Sequence, residues 1–217
     1  MEDVLTVYQR PFDANRPRLC FDERPCQLLD DVVVGLRVEP GKAAKQDNEY
    51  VRQGTGVVLL AYDLDRGIRY TQSRKQRTSA DYAEFMDQLI GIHYPDVKQI
   101  ELVQDNLNTH KHGSFYDHLP VAQARVLSQK LVFHFTPRHG SWLNVAEIEF
   151  SALARQCLNR RIGSLEELER QVGFWTDERN KRTVKVHWSF TVETAEDKLR
   201  SWYQKVNPAN MPTSTKN

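Results

Sequence analysis

Apolar residues fall into short runs separated by polar stretches that hold Gly and Pro, a pattern that predicts strands and helices in alternation. Leu19-Cys20-Phe21 closes the first run, after a polar leader with Pro11 and Pro17. A stretch rich in charge, Gly and Pro follows and reads as a loop through Gln53. Gly56 to Tyr62 (GVVLLAY) is apolar throughout and reads as a buried strand, and Ile68 to Gln72 pairs with it across Asp63-Leu-Asp-Arg-Gly67. Thr78 to Ile92 repeats at the helical period behind a cap. Gln99 to Gln104 and Val132 to Phe135 are further strands. After the second comes a loop from Thr136 to Trp142, then a helix carrying Glu147. A last clear helix runs from Ser164 to Asn180, and its Ser164-Leu-Glu-Glu167 start matches a capping box. Three early strands followed by alternating helices and strands predict an α/β fold with a mixed central sheet flanked by helices.

Composition narrows the class. The 217 residues are 40% hydrophobic and 27% charged, enough for one sizeable core. The Met1-Glu2-Asp3 start lacks a basic region followed by an apolar stretch, and no run of about 18 apolar residues occurs, so neither secretion nor membrane insertion is expected. Cys20, Cys26 and Cys157 form an odd set without a CxxC pair, which speaks for reduced thiols rather than a disulfide framework or zinc ribbon. His134 and His139 are five apart without a second ligand pair, and read as core or loop histidines.

Three acidic residues carry the candidate chemistry. Asp22 in RLCFDERP and Asp105 in IELVQDNLNTH end strand-like runs, where open α/β sheets place ligands, while Glu147 in HGSWLNVAEIEF opens a helix. Ordinary alternatives exist for each: a turn residue or N-cap for the aspartates, and a capping box from Asn144 to Glu147. On a wheel of about 100° per residue, Glu147 shares a stripe with Phe150, Ala154, Cys157 and Leu158, whereas Glu149 falls opposite, beside Gln156 and Arg160. A carboxylate on an inward face is costly unless paired, protonated or bound to metal. Glu147 is therefore the candidate, and Glu149 is expected to be solvated.

FDE, QDNLNTH and LNVAE, in that order, resemble the catalytic signature of DDE transposases of the Tc/mariner and related bacterial insertion-sequence superfamily. EYVRQGT (Glu49 to Thr55) and HWSFTVETAEDKL (His187 to Leu199) add to the resemblance, which extends from about Arg10 to Tyr203. Val145 and Ala146 replace the Pro-rich version of the last motif and point to the bacterial branch. Positions 106 to 146 make a longer spacer between Asp105 and Glu147 than the tightest in the superfamily, and helix and loop from His110 to Gln129 accommodate it. The resemblance implies a ribonuclease-H-like catalytic domain over 18–205; the polar leader at 1–17 precedes it, and the tail at 206–217, with Pro208, Pro212 and Thr213-Ser-Thr-Lys-Asn217, is expected to be disordered from its composition. It also implies metal-dependent strand cleavage at transposon ends and strand transfer, first by water and then by the freed 3′-hydroxyl. A location in the bacterial cytoplasm, at the nucleoid, goes with that activity.

Such chemistry calls for two Mg²⁺ ions about 3.5–4 Å apart, replaceable by Mn²⁺, on hard oxygen ligands. Asp22 is the candidate bridge, with Asp105 and Glu147 completing one side each. DNA is the expected partner, in a homodimer or higher oligomer. A net charge of +1 does not advertise a nucleic-acid protein, but clusters at Arg74-Lys75-Gln76-Arg77 and Arg179-Asn180-Lys181-Arg182 suit phosphates. Asn106, His110, Arg138, His139 and Trp142 lie near the acidic motifs and are candidate substrate contacts. Helix-turn-helix modules that usually precede such domains have no counterpart in the few residues before Asp22. The competing readings are a ribonuclease-H-like nuclease or resolvase without strand transfer, and a domesticated, inactive DNA-binding protein.

Overall fold

The structure, a computed structural model, describes residues 1–32 and 49–206. Five strands form one sheet in the order β3-β2-β1-β4-β5. Strands β1 (Arg18–Asp31), β2 (Tyr50–Asp63) and β3 (Ile68–Arg74) make an antiparallel meander, and β4 (Ile100–Gln104) and β5 (Leu131–Phe135) add in parallel beyond β1. This is the expected mixed sheet.

Period-2 alternation explains how the sheet is sandwiched. Leu19, Phe21, Val57, Leu59 and Ala61 point to one face, under α2 (Ser79–His93), α3 (His112–His118) and α4 (Val121–Lys130). Cys20, Val58, Leu60 and Tyr62 point to the other, under α1 (Glu2–Gln9), α5 (Val145–Gln156), α6 (Leu165–Lys181) and α7 (Val192–Val206). Burial on both faces is what made GVVLLAY apolar without a break.

The expected helices are present, and their caps are partly different. Thr78 and Asp81 form a full capping box on α2. Ser164 caps α6 by accepting from the Glu167 N–H, but the Glu167 carboxylate turns to Arg170 and Gln171 instead of closing the box.

Two expectations need correction. The first strand does not stop at Phe21. It runs to Asp31 and pairs with β2 from Tyr50 onward, so residues 22–31 and 50–53, read as loop, are ladder, whereas 33–48 lie outside the described residues. The misreading came from Pro25 and the polar side chains around it. Strand β4 pairs with β1 only as far as Cys20, so Pro25, which has no N–H to donate, stands where one edge of β1 is open. The polar leader also contains structure: α1 buries Val4, Leu5 and Val7 completely. An ionic cluster adds to that docking, since buried Glu101 on β4 meets Arg10 at 2.8 Å, Arg16 and His134, while His134 Nδ1 lies 2.8 Å from Asp3 on α1. His134 is thus a core histidine, as expected. Of the expected tail at 206–217, Val206 is the last residue of α7, and residues 207–217 lie outside the described residues.

Candidate active site

Register sends the two aspartates to the same end of the sheet. In the parallel β1–β4 pair, Arg18, Leu19 and Cys20 stand beside Glu101, Leu102 and Val103; the ladder ends there, and Asp22 and Asp105 each follow two residues later on neighbouring strands. Alternation along β1 turns Asp22 to the face of Cys20, the α5 side, and Glu23 to the face of Phe21, the α2 side.

Asn144 brings the glutamate. Its side chain is buried, with Oδ1 accepting from the Ala146 N–H at 3.2 Å to cap α5, and Nδ2 donating to the Phe21 carbonyl at 2.8 Å. The helix start is thereby hydrogen-bonded to the residue before Asp22. Tyr8 adds a second tie, donating to the Leu143 carbonyl at 2.7 Å. The capping box that would have occupied Glu147 is not formed, because the Asn144 N–H donates to Ser141.

Electrostatics register the convergence. Burial pushes the Asp22 carboxyl up to about 7, against a hydrogen bond from the Glu23 N–H that lowers it, and the charges of Asp105 and Glu147 push it further in the same direction. Three carboxylates present hard oxygen donors of the kind Mg²⁺ and Mn²⁺ take, and a crowded carboxylate with raised proton affinity gains most from a cation. The residues therefore fit a divalent metal in chemistry. Among the described residues, no three His, Cys, Asp or Glu side chains are already set to hold an ion.

Asp105 is engaged by His110. His110 Nδ1 lies 2.5 Å from Asp105 Oδ1 and Nε2 lies 3.6 Å from Glu23 Oε2, with the ring packed against Phe21 and Tyr82. Burial pulls the imidazole down, but its hydrogen bond to Asp105 and the charges of Asp105 and Glu23 outweigh this and raise it to about 9, so it is protonated at neutral pH. Gln104 closes the loop, donating to the His110 carbonyl at 3.1 Å while its Oε1 accepts from Tyr82 at 2.9 Å. His110 is fully buried and cannot touch DNA, which corrects its place among substrate contacts.

The faces of α5 also differ from expectation. Its buried positions are Val145, Ala146, Glu149, Phe150, Ala152 and Leu153, whereas Glu147 is exposed in the first turn. Glu149 is fully buried, not solvated. It accepts two 2.7 Å hydrogen bonds from Arg69, itself fully buried on β3, and two of 3.1 Å from Arg179 on α6. The wheel centred the buried stripe on Ala154, Cys157 and Leu158, whereas the buried face runs through Val145, Ala146, Ala152 and Leu153 and takes Glu149 with it, because Arg69 and Arg179 meet its charge there.

The other cationic candidates scatter. Lys75, Arg77, Arg138, His139, Lys181 and Arg182 are exposed, as are Asn106 and Trp142, the latter edge-on to Phe190. Arg74 is drawn to Glu84 and Gln72. Arg179 is committed to Glu149, which removes it from the free phosphate-binding set. Gln104, Glu23 and Asn144 were not singled out for the site from sequence, although each lies within a quoted motif.

The sequence matches the DDE superfamily endonucleases over residues 17–169, and the chain belongs to that family. No curated protein matches it significantly. Among solved structures, it is similar to the Mos1 mariner paired end complex with Mn (17% identity, TM-score 0.54, 97% of this chain and 60% of that one) and to the Mos1 strand transfer complex (16%, 0.54, 97% and 59%). The catalytic domain of Mos1 mariner transposase is a further match (13%, 0.52, 95% and 88%). The shared fold is ribonuclease-H-like. This chain spans about 60% of the first of these relatives.

Proposed function

We propose that this chain is the catalytic domain of a transposase that cuts DNA at transposon ends and joins the freed 3′-hydroxyl to target DNA. The observation that supports the reading is the Asp22 carboxyl, raised chiefly by burial and further by the charges of Asp105 and Glu147. Asp22, Asp105 and Glu147 would hold two divalent ions. Bound there, Mg²⁺ or Mn²⁺ would supply an activated attacking oxygen and stabilise the leaving oxygen.

The chain's own residues do the positioning. Asn144 fixes the α5 start against β1, and His110, supported by Gln104, orients Asp105. Lys75 and Arg77 beyond β3, Arg138, His139 and Trp142 before α5, Asn106, and Lys181 and Arg182 at the C-terminal end of α6 are the proposed phosphate and base contacts. Assembly as a dimer on paired ends, and a cytoplasmic, nucleoid-associated site of action, belong to the same proposal. No helix among the described residues is long and apolar enough to cross a membrane.

The test is an assay of the purified chain on duplex DNA and on pre-cleaved ends with a free 3′-hydroxyl, with Mg²⁺, Mn²⁺ or chelator. Metal-dependent nicking with strand transfer supports the reading, and nicking alone reduces it to a nuclease. Neither product, in any metal, sinks it.

A further inference from the structure

Two elements outside residues 17–169, the span matched by the family, close on the short segment that leads into Glu147. They are α1 and the stretch holding Trp188 and Phe190, just before α7. Family membership therefore does not say what they do.

One phenol makes the decisive contact. Tyr8, in the last turn of α1, donates to the Leu143 carbonyl at 2.7 Å. With its proton engaged there, the same oxygen accepts from the Cys20 thiol at 3.3 Å and from the Val145 N–H at 3.4 Å, which fills every hydrogen-bonding position of a hydroxyl. Burial raises the proton affinity of the phenol well above its usual range and pushes the Cys20 thiol up to about 12, so both remain donors at neutral pH. The Val145 N–H is among those at the start of α5 that have no partner within the helix.

The partners of the hydroxyl occupy matched places. Cys20 lies two residues before Asp22 on the same face of β1, and Val145 lies two residues before Glu147. Tyr8 thus bridges the strand of the first carboxylate and the helix of the last, by atoms other than the Asn144 amide, which reaches Phe21. Helix α1 is itself held from outside the site. Asp3 lies 2.8 Å from His134, and the Tyr8 ring meets Trp188 edge-on at 5.1 Å. On the same segment, Phe190 meets Trp142 edge-on at 5.3 Å, one residue before Leu143.

We propose that Tyr8 is a positioning residue for the acidic site: its hydroxyl, held by α1, sets the start of α5 against β1 and so fixes Glu147 relative to Asp22. The proposal rests on the reading of the three carboxylates as a metal site for DNA cleavage, and adds a control on that site from outside the matched span. Groups that orient metal ligands without touching the metal are worth roughly ten- to a hundredfold in affinity or activity.

The experiment compares the wild type with Tyr8→Phe, which keeps the ring and deletes the hydroxyl, and with Val4→Ala, which loosens α1 by packing alone and keeps the hydroxyl. All are measured at a temperature where each is folded. Tyr8→Phe is expected to bind Mn²⁺ roughly tenfold more weakly, by electron paramagnetic resonance without DNA, and to lower kcat for nicking by a similar factor at unchanged KM for the duplex. Val4→Ala should melt earlier yet keep wild-type Mn²⁺ affinity and kcat. Should Tyr8→Phe fail to fold, Cys20→Ala, which removes the β1 partner of the hydroxyl, should still weaken Mn²⁺ binding severalfold. Wild-type Mn²⁺ affinity in Tyr8→Phe, or in Cys20→Ala where that variant replaces it, overturns the positioning role alone, as does an equal loss in Val4→Ala. A wild type that neither binds Mn²⁺ nor nicks DNA overturns the metal-site reading with it.

Discussion

The Asn144 side-chain amide donates to the Phe21 carbonyl at 2.8 Å, and through that one bond the helix that begins the last acidic motif is tied to the strand that carries the first. The same side chain caps the helix. Asn144→Ala should lose both, a cost of about 2–3 kcal/mol from a missing cap and a buried carbonyl left unpaired. Asn144→Asp keeps the capping oxygen but lacks the donor to Phe21, so it should melt between the two. Nicking should fall in the same order; an Asn144→Ala variant with wild-type melting would remove the tie from the account.

Asp22→Asn, Asp105→Asn and Glu147→Gln should each abolish DNA cleavage and leave far-ultraviolet circular dichroism unchanged, since each removes an anionic ligand at constant shape. Mn²⁺ should raise the melting temperature of the wild type and do so less in every variant, because an ion that binds only the folded state stabilises it. Activity at wild-type level in any of the three would strike that residue from the site.

Glu149→Gln should be destabilising by about 3–5 kcal/mol, because it leaves Arg69 charged, buried and short of its partner. Replacing both, as Arg69→Met with Glu149→Leu, should recover much of that loss. Urea midpoints of the three proteins measure this; a Glu149→Gln midpoint equal to wild type would mean the pair is spectator to folding.

The apo protein should lose stability as pH rises through two windows. The Asp22 carboxyl is raised from 3.8 to about 7, so between those values the unfolded chain ionises while the folded one does not, and stability falls with pH. His110 is raised from 6.5 to about 9, so the stability its charge provides is complete below 6.5 and lost towards 9. Asp22→Asn, measured in chelator, should match wild type near pH 4 and exceed it near pH 8 by about 1–3 kcal/mol, below the full ~1.4 kcal/mol per unit because the carboxyl keeps some solvent. An advantage independent of pH would refute the assignment to Asp22.

DNA affinity should be weak, insensitive to sequence and steeply reduced by salt, since the exposed cationic candidates are side chains on turns and helix ends suited to phosphates rather than base edges. Neutralising Lys75 and Arg77 together should lower affinity for all duplexes equally and flatten the salt slope. A preference of a hundredfold or more for terminal-repeat duplex over scrambled duplex, about 2.7 kcal/mol, would show that the chain reads bases.

The sequence by itself determined the mixed sheet and the helices over 79–93, 145–156 and 165–181, and it offered the three carboxylates as candidates, because each rests on a local period or a few adjacent residues. Apolar GVVLLAY can only be a strand covered on both faces. It did not determine what lies opposite each polar residue. Glu149 looked solvated and is buried because Arg69 and Arg179 arrive from a strand and a helix distant in sequence. His110 looked available to DNA and is sealed between Asp105 and Glu23. The polar stretch after Phe21 looked like loop and is strand because β2 supplies its hydrogen bonds from the far side of the sheet. Burial of a charge is decided by its partners, and partners are a property of the fold.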